Sequence, residues 1–161
     1  MTALPNRRGV RPRTNPAVPH QQLDQQPSDP TILDRLAERI LAWPGIHQAT
    51  SAISLPGARA FVVSEPRPEV SREAFIIGAE FAHIHATPDS SLHAALPAEF
   101  ARDAVAHGWA EAHPMARRDG FGDGLIMIYA PRDDAEAAVV EQLIDVSYRA
   151  ATCRPLPPDR A

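Results

Sequence analysis

A chain of 161 residues with 44% hydrophobic residues can bury one sizeable core and suits one domain. A formal charge of -4 and a pI near 5.9 give no general attraction for phosphate backbones or anionic lipid, so neither nucleic acid nor a membrane is expected as a partner. All 16 basic residues are arginine, which excludes Schiff-base, pyridoxal-anchoring and P-loop chemistry from within the chain, and the motifs G-x-S-x-G, H-E-x-x-H and G-x-G-x-x-G are missing.

Residues 1–28 carry five prolines from Pro5 to Pro27, an Arg7, Arg8, Arg11, Arg13 cluster and a glutamine-rich patch, a composition that predicts a disordered arm. Asp29 before Pro30 reads as a helix N-cap with proline at the first helical position. Ile32, Leu33, Leu36, Ile40 and Leu41 then recur on one face until Pro44-Gly45. Strand-like runs follow at 46–55, 58–64, 74–77 and 81–86, separated by turn residues, and 91–96 reads as another. Pro97 opens a helix that Gly108 stops, 109–113 is short and extended, and 125–130 is an apolar strand between Gly124 and Pro131. Asp133 and Glu136 form a capping pair for a last helix with apolar positions Ala135, Val139, Leu143, Val146 and Ala150. The expected fold class is α+β, an antiparallel-rich sheet packed by about three helices, with a single domain over 29–153 and a loose tail over 154–161.

Chemistry concentrates in the histidines. In His83-Ile84-His85, strand geometry sends both imidazoles to one face and Ile84 to the core. Pro88-Asp89-Ser90 turns the chain back so that His93 can lie opposite one of them across a hairpin. Alternation in Trp109-Ala-Glu111-Ala-His113 adds an indole, a carboxylate and a fourth imidazole on one face. Tyr129 ends the last strand as either a core residue or a pocket phenol, and Arg132 either pairs with acids of the last helix or touches a ligand. His20, His47 and His107 read as ordinary surface or core histidines. Two chemistries fit. In the first, an imidazole with a near-neutral pKa acts as base in a dry pocket, without metal. The second is a cupin-like iron, manganese or zinc site with ligands from His83, His85, His93 and His113, although Asp89 stands where a cupin glutamate is expected.

His83-Ile-His85, Ser90-Ser-Leu-His93, Gly108-Trp-Ala-Glu-Ala-His-Pro114 and Ile128-Tyr-Ala-Pro-Arg132 together resemble, in order, the luciferase domain of fungal bioluminescence enzymes and their uncharacterised relatives, over about 56–152. The resemblance implies oxidation of a 3-hydroxy-2-pyrone or other enolisable small molecule by molecular oxygen. It implies no organic cofactor, and carbon dioxide released through a peroxide. Fungal luciferases carry an N-terminal membrane anchor, and the polar arm here has none, so a soluble member is expected; with the lone Cys153 and no signal-like start, the expected location is cytoplasmic. In the leading reading His83 or His85 is the base, His93 and His113 orient substrate, Glu111 fixes an imidazole tautomer, and Trp109, Tyr129 and Arg132 contact substrate. The alternative reading is a non-catalytic small-molecule-binding or interaction domain that the same cluster merely supports.

Overall fold

The computed structural model describes residues 4–29, 31–118 and 120–156. A short ribbon, β1 (Thr14–Asn15) and β2 (Gln21–Gln22), precedes helix α1 (Thr31–Leu41). Then come β3 (Ile46–Thr50), β4 (Arg59–Val63), a 3-10 turn at Arg72–Ala74, β5 (Glu80–Ile84), β6 (Leu92–Ala95), α2 (Ala98–Ala106), β7 (Ala110–Ala112), β8 (Leu125–Ile128) and α3 (Asp134–Ala151). The six later strands form one antiparallel sheet in the order β3-β4-β5-β6-β8-β7, so the fold is α+β.

The helices cover one face of this sheet. Ile32, Leu33, Leu36 and Ile40 of α1 are buried as their helical spacing requires, and Leu33, Leu36 and Ile40 share a core with Phe61, Phe81, Ile84, Leu92, Ile126 and Ile128. Each such side chain stabilises the fold by about 1.5–3 kcal/mol. Asp29 accepts the Thr31 backbone N–H at 3.0 Å, so it caps α1 as its sequence position suggests, while Pro30 lies outside the described residues. Asp133 likewise accepts the Glu136 N–H at 2.8 Å to cap α3.

Two sequence expectations need correction here. Residues 74–77 are not a strand. The Ser71 hydroxyl accepts the Glu73 N–H and starts the 3-10 turn, and the Arg72 guanidinium donates to the Phe75 and Ile76 carbonyls, which therefore need no neighbouring strand. The buried face of α3 is wider than expected: Leu143 and Val146 are buried and Val139 and Ala150 pack at its margin as the spacing suggests, but Ala137, Val140, Ile144, Ser147, Tyr148 and Ala151 also face inward, while Ala135 is exposed. The polar members of that face are satisfied internally. Ser147 Oγ lies 2.7 Å from the Ala95 carbonyl, and the Tyr148 hydroxyl donates to the Pro44 carbonyl at 2.8 Å.

Residues 4–29, the stretch whose composition suggested a disordered arm, run from the core beside α2 and α3 to the histidine-bearing face of the sheet, which they reach at Val18, Pro19 and His20. This stretch packs as a strap. Leu4 joins the core, Trp109 Nε1 donates to the Pro5 carbonyl, the Gln22 N–H donates to Asp89 at 3.0 Å, and Gln22 Oε1 accepts the Ala130 N–H at 2.8 Å. The strap is tied by backbone and side-chain hydrogen bonds, which composition does not reveal. At the far end, residues 157–161 of the expected loose tail lie outside the described residues.

Gly124 sets the entry to β8. Leu96 donates its N–H to the Gly124 carbonyl at 3.0 Å, and a Cβ on Gly124 would stand 1.6 Å from the Leu96 carbonyl oxygen. Gly124→Ala is therefore expected to destabilise the fold by at least about 1–3 kcal/mol, because backbone must move. A shift of the urea midpoint relative to wild type checks this, and an unchanged midpoint contradicts it.

Candidate functional site

The β5–β6 hairpin builds the centre of the site. His83 and His93 are direct cross-strand partners, and His85 follows on the same side. His83 Nε2 lies 3.2 Å from His85 Nε2 and 3.2 Å from His93 Nδ1. His113, just beyond β7, brings its ring centroid 4.5 Å from that of His93. The four histidines named from the sequence therefore converge. A fifth joins them: His20 of the strap stacks on His93 at 5.5 Å and meets His113 edge-on at 5.0 Å. The sequence reading of His20 as an ordinary histidine missed this, because no local pattern connects residue 20 to a hairpin more than sixty residues away. His47 and His107 stay outside the cluster, bonded to Ser64 and to Asp103.

Three of the five rings have a carboxylate behind them. Glu80 Oε1 accepts from His83 Nδ1 at 2.6 Å, although in an unbroken strand residues three apart point to opposite faces. A β-bulge resolves this. Pairing with β4 slips so that Phe61 opposes Ala82 but Val62 opposes Glu80, which turns the skipped Phe81 into the helix layer and Glu80 towards the histidines. Asp89 Oδ2 accepts from His85 Nδ1, and its other oxygen takes the Ser91 hydroxyl and the Gln22 N–H. Glu111 Oε1 lies 2.6 Å from His20 Nε2, and its Oε2 accepts the Tyr129 hydroxyl at 3.0 Å. These bonds fix tautomers. With Nδ1–H committed to a carboxylate, His83 and His85 each present a bare Nε2, and with Nε2–H committed, His20 presents a bare Nδ1. Glu80 and Asp89 were invisible in these roles at the sequence level, since one depends on a bulge and the other on the turn's detailed path.

Electrostatics follow from burial. Desolvation lowers the His83 pKa despite Glu80, and it lowers that of His93 well below the ordinary value, with the surrounding imidazoles adding to the shift. Burial, then His20, His83 and His85, bring His113 to about 4. Burial opposes ionisation of Asp89 and Glu111, but hydrogen bonds from His85 and Ser91, and from His20, Thr14 and Tyr129, outweigh it and leave both carboxyls below their usual values. Burial and the Glu111 charge raise the Tyr129 phenol, so it remains a donor.

A sign follows for pH. The unfolded chain holds its histidines near 6.5, above the folded His93 and His113, so it binds more protons as pH drops. In chelator-containing buffer, stability present above pH 6.5 is expected to fall continuously towards about pH 4, with His113 contributing through that window. The contribution of Asp89 and Glu111, present above their unfolded values, is lost only at lower pH. Denaturant midpoints between pH 7 and 4 check this, and a flat profile contradicts it.

The imidazoles line one wall of a cavity of about 410 Å³, and Val18, Ile53, Leu55, Ile76, Met115 and Phe121 supply apolar walls. His20, His83, His85, His93 and His113 all reach it. Of the other residues named from the sequence, Tyr129 stands behind Glu111 and Trp109 is buried beneath the strap against Pro5. Arg132 binds Glu136 and the Arg8 carbonyl. None of these three lines the cavity.

Fold and site thus define a small α+β domain with a histidine-lined apolar cavity. Residues 78–147, which span the hairpin, α2, β7, β8 and most of α3, match the family model described as the Luciferase domain. The chain is 30% identical over 160 residues to a luciferase of Armillaria ostoyae, 29% to one of Armillaria mellea and 27% over 158 residues to one of Neonothopanus nambi, in each case over 89% of this chain. Segment 78–147 is thus similar to the luciferase domain, and most of the chain is similar to these fungal luciferases. The chain spans 59% of the length of these relatives. No solved structure matches it. Among the described residues no helix is long and apolar enough to cross a membrane.

Proposed function

We propose that the chain is an oxygenase-like enzyme that uses molecular oxygen to oxidise an enolisable small molecule of the hydroxypyrone type, held in the histidine-lined cavity. One observation carries this reading: His20 Nε2 is engaged by Glu111 at 2.6 Å, while its Nδ1 is buried with no hydrogen-bond partner among the described residues, in a ring that borders a cavity lined by imidazoles and apolar side chains. A carboxylate–imidazole pair with one bare nitrogen is a positioned general base. The base thus moves from His83 or His85, whose bare nitrogens face each other, to His20. Glu111 orients it and stabilises the imidazolium that forms.

The chemistry balances simply. The enol O–H proton passes to His20 Nδ1, leaving an enolate. The enolate carbon forms a bond to dioxygen, which accepts two electrons and becomes a peroxide, and the proton on His20 then serves that peroxide. His113 accepts the Met115 N–H on Nδ1 at 3.1 Å, so its neutral tautomer carries Nε2–H, a donor for an enolate oxygen. The cavity volume falls within the usual range for small-molecule sites, and its apolar walls exclude water from the peroxide. The names of the fungal relatives support oxygen-dependent chemistry of this kind.

The test is substrate-dependent oxygen uptake by wild type and His113→Ala. An at least tenfold drop in turnover with little change in melting temperature is expected for the variant. Loss of melting temperature alone, with turnover unchanged, would favour a binding domain that the cluster only supports.

A further inference from the structure

We propose that His83 Nε2, His85 Nε2 and His93 Nδ1 form a three-imidazole site for one divalent first-row transition metal ion, whose open position faces the cavity. The argument is geometric. The Nδ1 atoms of His83 and His85 are directed at Glu80 and Asp89, so in the neutral tautomers these contacts select, two bare Nε2 atoms face each other at 3.2 Å. Two acceptors at hydrogen-bonding distance repel. A proton on His93 Nδ1 can relieve His83, 3.2 Å away, but it leaves His85 Nε2 facing a lone pair. One cation satisfies all three nitrogens together. In a tetrahedral site with metal–nitrogen bonds of about 2.0–2.1 Å, ligand nitrogens stand about 3.3 Å apart, close to the 3.2 Å of His83–His85 and of His83–His93, and all three lie within 4.8 Å of one another.

The surroundings match a metal site as well. A ligating histidine ordinarily donates its second nitrogen to a carboxylate, and here two of the three do so. Those carboxylates are held in turn: Glu80 by the Ser51 hydroxyl and the Ala52 N–H, Asp89 by Ser91 and Gln22. Three neutral imidazoles suit zinc, iron, nickel or copper better than calcium or magnesium. A second trio, His20, His93 and His113, also gathers its nitrogens within 4.8 Å. It fits less well, since His113 Nδ1 already accepts the Met115 N–H, which leaves the proton on its Nε2. All three ligands of the first trio line the cavity, so the fourth position is open to water or to an oxygen donor of a bound small molecule, as in catalytic rather than structural sites.

This inference is independent of the proposed reaction, because binding is measured without substrate. The full chain, carrying no affinity tag, is stripped with chelator and titrated calorimetrically with Zn²⁺, and anaerobically with Fe²⁺. One ion per chain and a raised melting temperature are expected. His85→Ala and His93→Ala should each weaken binding at least 100-fold, and Asp89→Asn about 10- to 100-fold through loss of the supporting carboxylate. His113→Ala and His47→Ala should keep wild-type affinity. Should His93→Ala fail to fold, the contrast between His85→Ala and His113→Ala still decides. The inference is overturned if folded, stripped wild type binds neither ion stoichiometrically, or if affinity survives His85→Ala and is lost in His113→Ala.

Discussion

Replacing His20 with alanine is expected to lower oxygen-dependent turnover by about 10²- to 10⁴-fold, the usual span for a removed general base. His20 sits within a strap held on both sides of it by other contacts, from Pro5 on Trp109 to Gln22 on Asp89, so the substitution leaves the sheet intact. Glu111→Gln should produce a comparable loss. The amide oxygen can keep the Thr14 and Tyr129 hydroxyls, which turns its NH2 towards His20 Nε2, so the ring proton moves to Nδ1 and the bare nitrogen is lost. If the base acts as described, both variants lose turnover at saturating substrate more than they lose binding. Steady-state kinetics with parallel melting curves check this, and a His20→Ala enzyme with wild-type turnover removes the strap from the chemistry.

Asp89→Ala is expected to produce the largest loss of stability among the site residues, about 3–5 kcal/mol. The carboxylate takes His85 Nδ1, the Ser91 hydroxyl and N–H, and the Gln22 N–H, so it joins the hairpin turn to the strap. Removing it leaves several buried donors without an acceptor. Because the folded carboxyl lies below its ordinary value, this stability is present above the unfolded pKa and disappears as pH falls through the folded one. Chemical denaturation at pH 7 measures the loss. The gap between Asp89→Ala and wild type should narrow at acid pH, where the wild-type carboxylate is itself protonated, and a gap that widens there would contradict the assignment.

Local pattern carried much of this architecture into the sequence. Apolar spacing located α1, the alternation His83-Ile84-His85 put two imidazoles on one face, and the turn at Pro88-Asp89-Ser90 brought His93 opposite His83. What stayed hidden depends on contacts between distant segments. A proline- and arginine-rich stretch looks disordered until its hydrogen bonds to Trp109, Asp89 and Ala130 are seen, and His20 arrives with it. Glu80 reaches His83 only through a bulge, and nothing in the order of residues marks which strand position is skipped. Ser147 and Tyr148 are not among the apolar positions the spacing picks out for α3, yet carbonyls from the sheet and from Pro44 accept their hydroxyls, so both belong to the buried face. Glu111 was named as the residue that fixes an imidazole tautomer, and the ring it engages is that of His20.

The measurement closest to the central claim is oxygen uptake, with carbon dioxide recorded in parallel, by the full chain against a panel of 3-hydroxy-2-pyrones and related enolisable small molecules. The account predicts uptake of one dioxygen per substrate consumed for at least one member, slowed by about 10²- to 10⁴-fold in His20→Ala. Binding of these molecules in the cavity with no oxygen uptake across the panel would contradict it and leave a binding domain.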